Sequence, residues 1–402
     1  MAEVTRAEAR RPGRPAHFLI GTAGLYGADM ALSVVLTWSV LALSHSPLLA
    51  AVALILNSLP QVITGIVGPA RMGVGEHPSR LLFACGGGLL VMGVLALVIR
   101  GTAPLVDLLL LAAVVEGLGN AAVIPVAQAW WMGLTPPGEK VRAARDYEIA
   151  SRIPRILAPV AGSLLLAAGR LGPALGVIGL GFLLAAWNWR GRVTVEDGSL
   201  RALAWSEGFR ALGHDRWLLA ALALRGLANV LWPAYSIGLP WLVLTRFHQS
   251  PFTYGLVTTM YGLSTIALAW PAGRMATRIL RRWYMVAWAL TGAGFVALGL
   301  SGDVLAVFLA VLLVGLGSPM IHMGLDAHIG AEIPQERQAS VFAFQRFVMG
   351  IAGLFGLYAV GSLLTNLSTD MVLVVTGAAI VGSAAAAAAI AEPHIGSPAR
   401  SA

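Results

Sequence analysis

Three carboxylates lie deep within apolar stretches of the 402-residue chain: Asp29, Glu116 and Asp326. If such a stretch is a helix crossing a membrane, a charge at its centre costs at least ~2.5–3.5 kcal/mol on insertion scales. Residues that expensive are seldom kept for packing alone. Asp29 falls about 12 residues into the first apolar segment, roughly 18 Å along a helix axis. Glu116 falls about 11 residues into the fourth, which starts from the other side, so both approach the same depth. Asn120 follows Glu116 by one turn and shares its face, and Tyr26 and Ser33 flank Asp29 in the same way. Two readings are open. The acids bind protons, a cationic group of a ligand, or both; or each makes a structural hydrogen bond to a neighbouring helix.

The second half of the chain offers its own polar set. One segment carries Arg225, Asn229, Trp232 and Tyr235, with Ser236 beside them. Arg225 is either a site residue or a snorkelling side chain near a segment end. Trp232 and Tyr235 stack on an apolar or aromatic ligand, or they pack the interior. His322 and Asp326, one turn apart, suit a proton relay or a metal pair; a wet cluster near the helix end is the alternative. Glu148, Arg152 and Arg155 read as a solvated ladder. The single cysteine, Cys85, excludes an internal disulfide and a cysteine metal cluster. No phosphate-binding loop and no nucleophile–base constellation is visible, so neither an enzyme nor a cofactor is expected.

These residues must be held by elements suited to lipid. The chain is 57% hydrophobic and 11% charged, with mean hydropathy +0.78. Soluble domains carry about 25% charged residues. So apolar a chain cannot cover its surface with polar groups, and its solvent is the bilayer. The segments are apolar all round, which favours helices over a barrel. Twelve follow from the turns. Residues 1–16 are a basic tail, 17–189 a first six-helix half, 190–216 a polar hinge, 217–391 a second six-helix half, and 392–402 a short tail. Residues 199–213 place Leu200, Leu203, Ala204 and Phe209 on one face, an amphipathic helix lying on a membrane surface. Two similar helical halves joined by a polar hinge are the layout of one large transporter class.

The net charge of +8 could suggest nucleic acid, but its placement argues for orientation in a membrane. With the N-terminus inside, 23 of the 27 basic residues fall on the same side, and Arg100, Arg170 and Arg246 on the other. Both termini are therefore expected in the cytoplasm, and no small-residue cleavage site follows the basic start. Arginine greatly outnumbers lysine, which suggests a bacterial source and its inner membrane. Trp130, Trp131, Trp187 and Trp189 fit an aromatic belt at the cytoplasmic interface.

One loop pattern is more specific. Gly273, Arg278, Arg281 and Arg282 stand in register with a Gly-x-x-x-Asp-Arg-x-Gly-Arg-Arg signature, with Thr277 at the acidic position and Leu280 at the second glycine. Gly68, Arg71 and Arg80 form a weaker copy in the first half. On these residues the chain resembles the major facilitator superfamily, over nearly its whole length. The stretch Ala158 to Ser163 resembles a Gly-Pro-x-x-Gly-Gly motif of exporters, or is plain helix packing. Gly27-Ala28-Asp29 and the run from Pro47 to Pro69 are similar to the enterobactin-exporter and macrolide-efflux branch. The resemblance implies an all-α fold of twelve transmembrane helices in two pseudo-symmetric halves, with the 273–282 loop and Arg71 as a gate. It implies a monomeric secondary transporter that works with protons, lipid and a small-molecule substrate. The expected activity is proton-coupled export of small apolar or cationic molecules, drug- or siderophore-like. Import, lipid or metal-ion transport on the same fold, and a non-transporting receptor, are the alternatives.

Overall fold

The computed structural model describes residues 15–67, 78–134, 140–190, 215–272, 274–275 and 277–391. Their regular structure is helical. The twelve long elements are α1 Pro15–Ser44, α2 Pro47–Val67, α3 Pro78–Val98, α4 Thr102–Leu134, α5 Lys140–Ala167, α6 Leu171–Trp189, α7 Arg216–Thr245, α8 Pro251–Ala272, α9 Thr277–Gly299, α10 Val304–Glu332, α11 Gln335–Asn366 and α12 Thr369–Ala391. Ten are long and apolar enough to cross a membrane by composition. The other two, α8 and α9, have 22 and 23 residues. At about 1.5 Å per residue that also spans a ~30 Å core. The chain is a multi-pass membrane protein with the major facilitator fold.

Local chemistry explains where the helices start. Proline opens α1, α2, α3 and α8, where its missing amide costs nothing and its fixed φ suits a first turn. Asp215 and Asp303 cap α7 and α10, accepting from the amides of Leu218 and Ala306 at 2.9 and 2.8 Å. The face carrying the α1–α2 turn is built from tight reversals. His45, Gly101, Gly169 and His248 each adopt a left-handed backbone there. The opposite face carries the chain ends and most of the arginines and is called the basic face below.

Each half repeats the same pairings. In the first half α3 lies against α6, and α1 against α5 and α6. In the second, α9 lies against α12, and α7 against α11 and α12. Matching glycines set the close approach. A Cβ on Gly86 would meet the Gly179 carbonyl, and one on Gly292 the Gly377 carbonyl. The halves meet along two seams, α2 on α11 and α5 on α8. Gly361 lies over Pro47 and Ala51, Gly350 over Val62, Gly255 over Ser163, and Gly262 over Ile156. Trp38 stacks on Tyr254 at 5.8 Å. A side-chain hydrogen bond from Thr259 Oγ1 to the Ile156 carbonyl, at 3.1 Å, crosses the α5–α8 seam. These contacts run from the turn face to mid-depth. Beyond them, toward the basic face, Ile149, Ile153, Ile266 and Trp270 are exposed.

Several expectations change. α5 begins at Lys140, within a charged stretch, because the arginine- and alanine-rich residues before Tyr147 are good helix formers despite their polarity. α7 is three pieces, Arg216–Leu231, Pro233–Ser236 and Gly238–Thr245, since Pro233 and Pro240 remove backbone donors. Trp131 and Trp189 are not belt residues. Both stack on Phe18, at 4.9 and 5.2 Å, and the Trp189 indole donates to the Phe18 carbonyl at 3.2 Å. Trp189 is 1% exposed, whereas Trp187 is 67% exposed and fits the belt. The amphipathic stretch 199–213, nearly all of the hinge, both tails, Gly68, Arg71 and Gly273 lie outside the described residues, as does the Trp130 side chain.

The glycine contacts yield a paired test. Gly179→Ala forces a methyl into backbone atoms of α3 and should cost ~1–3 kcal/mol. Gly87→Ala meets nothing within 4 Å and should leave stability unchanged or raised by up to ~1 kcal/mol. Thermal unfolding of the detergent-purified variants measures both; equal effects would disprove the close α3–α6 approach.

Candidate functional site

The acids singled out in the first half come together. Asp29 of α1 and Glu116 of α4 are hydrogen-bonding neighbours. The Asn120 amide donates to Asp29 Oδ1 at 2.7 Å and also to Glu116 Oε1. Asn57 of α2 closes the set, donating to the other Glu116 oxygen and to the Ala113 carbonyl, the latter at 3.3 Å. Glu116 is 1% exposed, Asn120 is fully buried, and Asp29 is partly open. Local sequence makes this possible: Gly117 lies directly on the Asn57 carbonyl, so any side chain there would push α4 off α2. Asn57 was not among the expected site residues. Its only sequence signal is a carboxamide in an otherwise apolar segment.

Arg155 changes the surroundings of Asp29. No basic residue lies one turn away on α1, but the Arg155 guanidinium of α5 sits 4.3 Å over the Tyr26 ring and acts electrostatically on Asp29. It thus lies beside the Asp29 network and is not only part of a solvated ladder. Tyr26 is buried, and its hydroxyl meets the Tyr147 hydroxyl at 3.1 Å. Ser33 is exposed and outside this network.

In the second half Arg225 does not snorkel. It is 6% exposed, and its Nη2 lies 2.9 Å from His322 Nδ1 of α10. Its Nη1 is buried without a hydrogen-bond partner. His322 and Asp326 are both exposed, and Asp326 lies within electrostatic range of Arg225 and of Arg346 on α11. Arg152 of α5 lies within electrostatic range of His322 from the other half. The Arg225 guanidinium occupies His322 Nδ1 and leaves Nε2 as the ring's other nitrogen. Among the described residues no three His, Cys, Asp or Glu side chains gather. Asn229 is a packing residue whose amide donates to the Met349 carbonyl of α11. Trp232 and Tyr235 form an aromatic cluster at the α7 break with Tyr261 and Phe295, ring centroids 5.3–6.1 Å apart.

His328 lies elsewhere. Its Nε2 is 2.6 Å from Asp215 Oδ2, and its ring lies 4.2 Å from that of Trp217. Of the arginines expected to form a gate, Arg281 lies 5.5 Å from the Trp217 ring, while Arg278 and Arg282 are exposed. Partial burial pushes the Asp215 carboxyl up. The Leu218 amide, His328 and Arg281 outweigh this and hold it below the usual aspartate range.

Comparisons with known proteins fit this geometry. Residues 226–401 match the sequence profile of the Major Facilitator Superfamily. Among solved structures, a POT family transporter in complex with 5-aminolevulinic acid is 10% identical, with TM-score 0.72 over 94% of this chain and 96% of that one. A bacterial metal transporter is 16% identical, with TM-score 0.68 over 95% and 100%. The nucleoside transporter NupG is 12% identical, with TM-score 0.66 over 94% and 98%. At these identities the likeness concerns the fold. No curated protein sequence matches.

The Asp215 contacts predict a pH dependence. Because its folded pKa is lowered, Asp215 stabilises the fold above the ordinary aspartate value and loses that contribution as pH falls through the folded value. Wild type should therefore be more stable than Asp215→Asn from pH 7 down to about 4, and the gap should close below that. Thermal unfolding across pH checks this; a gap that widens in acid would refute it.

Proposed function

We propose that the chain is a proton-coupled secondary transporter of the major facilitator superfamily that exports small, largely apolar molecules by alternating access. The observation that carries the reading is the Asp29–Asn120–Glu116–Asn57 network. Two carboxyls in hydrogen-bonding contact, away from water, favour holding one proton between them over bearing two negative charges. Adding a proton lowers the cost of dehydrating the pair, and losing it raises that cost. The pair thus favours different exposures in its two protonation states, which is the requirement for coupling. Arg155, near Asp29, stabilises the deprotonated form.

The seams supply the motion. Glycines and small side chains let the halves slide, and few polar bonds must break. Their contacts lie on the turn side, which leaves a cleft toward the basic face. We place that face in the cytoplasm, following its arginine excess. The cleft then accepts substrate from the cytoplasm, in line with export. The stretch Ala158–Ser163, with Gly162 against Ala31 and Ser163 against Gly255, seals the outer side. The aromatic cluster at the α7 break offers an apolar wall for the substrate.

Infrared difference spectra of the purified protein across pH test the proton site. A protonated-carboxyl C=O band should titrate in wild type and vanish in Glu116→Gln. In proteoliposomes, Asp29→Asn should insert and fold yet lose about tenfold or more of any pH-gradient-driven flux. Flux equal to wild type at every pH would make Asp29 structural and end the proposal. Orientation is tested separately. Cys85 is buried, so an impermeant maleimide should label Ser250→Cys in intact cells but label Arg278→Cys only after permeabilisation; the reverse would invert the topology.

A further inference from the structure

Arg225 is a cation without a complete set of partners. A buried guanidinium is tolerated when its charge is matched and its N–H groups are used. Here Nη1 is buried and has no hydrogen-bond partner, and Nη2 meets a histidine ring, which carries no compensating negative charge. On α11, one residue before Arg346, Gln345 Oε1 is likewise buried without a partner. Asp326 lies near Arg225 and Arg346 but makes no ion pair within 4.0 Å with either among the described residues. Two guanidiniums therefore share one aspartate, and the cluster carries one positive charge in excess. Arg225, His322 and Arg346 stand at one level, about 14–17 Å along their helices from the basic-face ends.

The Arg225 contact also fixes the histidine. A guanidinium has only donors, so His322 Nδ1 must accept, and the ring proton sits on Nε2. His322 is exposed to the cleft and senses Arg152 across it. Its Nε2–H is thus free to donate, with Arg225 behind it and the exposed Arg346 on the adjacent helix.

We propose that His322 Nε2–H and the Arg346 guanidinium, backed by Arg225, bind a singly charged carboxylate or phosphate group of the transported molecule. The proposal rests on the transporter reading and gives the substrate an acidic end beside its apolar body. Asp326 is the resident counter-charge. In the empty cleft it partly neutralises Arg346, and the arriving anion takes over that role. The two halves then divide the work: α1, α2 and α4 hold the proton, and α7, α10 and α11 hold the anion. A cationic substrate would require the opposite response from the same residues, which makes the assignment testable by sign.

Equilibrium dialysis of the full-length protein in phosphatidylcholine nanodiscs, with labelled benzoate and phenyl phosphate, is the test. Tetraphenylphosphonium is the cationic control. Both anions should bind saturably. Arg346→Gln should weaken them about tenfold, the loss of one charge-assisted contact, and Asp326→Asn should tighten them by removing the competitor. His322→Gln keeps a donor and should weaken them less than His322→Phe. Arg225→Gln removes a buried group and could unfold the protein, so the decision rests on the exposed Arg346 and Asp326. Tetraphenylphosphonium binding that is lost in Asp326→Asn and strengthened in Arg346→Gln would overturn the proposal, as would the absence of saturable anion binding. Displacement of benzoate by added phosphatidylglycerol but not by phenyl phosphate would assign the cluster to lipid headgroups and overturn the solute reading. Asp29→Asn should leave anion binding intact. Loss of pH-driven flux with no anion binding would thus sink this inference alone, and the converse would sink the proton reading alone.

Discussion

The cost of an uncompensated polar group in hydrocarbon governs this protein. Water is absent from the bilayer core, so a buried donor, acceptor or charge left without a protein partner is costly. Most of the chain avoids the problem by being apolar. Hydroxyls that enter the bundle mostly bond a carbonyl one turn back on their own helix, as Thr22 and Thr37 do, while some of the larger polar groups reach other helices. Glu116 uses all its buried capacity on two asparagines and a second acid. His17 meets Asn188 at 3.0 Å, and the Tyr284 hydroxyl reaches the Ala221 carbonyl at 3.1 Å. Such links fix helix rotation, which apolar packing alone leaves loose.

The same constraint explains why the halves are joined differently from the helices within each half. Polar links within a half make it a rigid unit. The seams between halves hold small residues and aromatic rings in close approach, with Thr259 bonded to the Ile156 carbonyl across one of them. A joint of this kind can open without stranding donors and acceptors in lipid. The proposed rocking motion asks for such a joint between two internally linked halves.

Much of this was legible in the sequence, and the omissions have physical causes. Composition and turn spacing gave twelve spans, because hydropathy is summed over about 20 residues and tolerates local error. Asp29, Glu116 and Asn120 stood out as polar residues in apolar surroundings. Asn57 and Arg155 did not, because their roles arise from helix pairing. Only the approach permitted by Gly117 brings Asn57 to Glu116, and only the rotation of α5 carries Arg155 over Tyr26. Distance from a helix end suggested snorkelling for Arg225, but depth does not say which way a side chain points, and this one turns inward to His322. Trp131 and Trp189 failed in the same way: interface depth suits a belt, yet both face Phe18.

The two halves share one helix arrangement but treat charge in opposite ways. In the first half the acids are tied together through Asn120, and in the proposed reading their charge is set by a proton. In the second, Arg225 and Arg346 have one nearby aspartate, and Arg225 Nη1 and Gln345 Oε1 are buried without a partner, the gap that the proposed anion would fill. A symmetric frame with asymmetric charge separates two tasks that would interfere at one site. A proton and an anion attract each other, and in a single pocket each would be held by the other. Placed on opposite walls of one cleft, they interact through the distance between the walls, and that distance is what rocking of the halves changes.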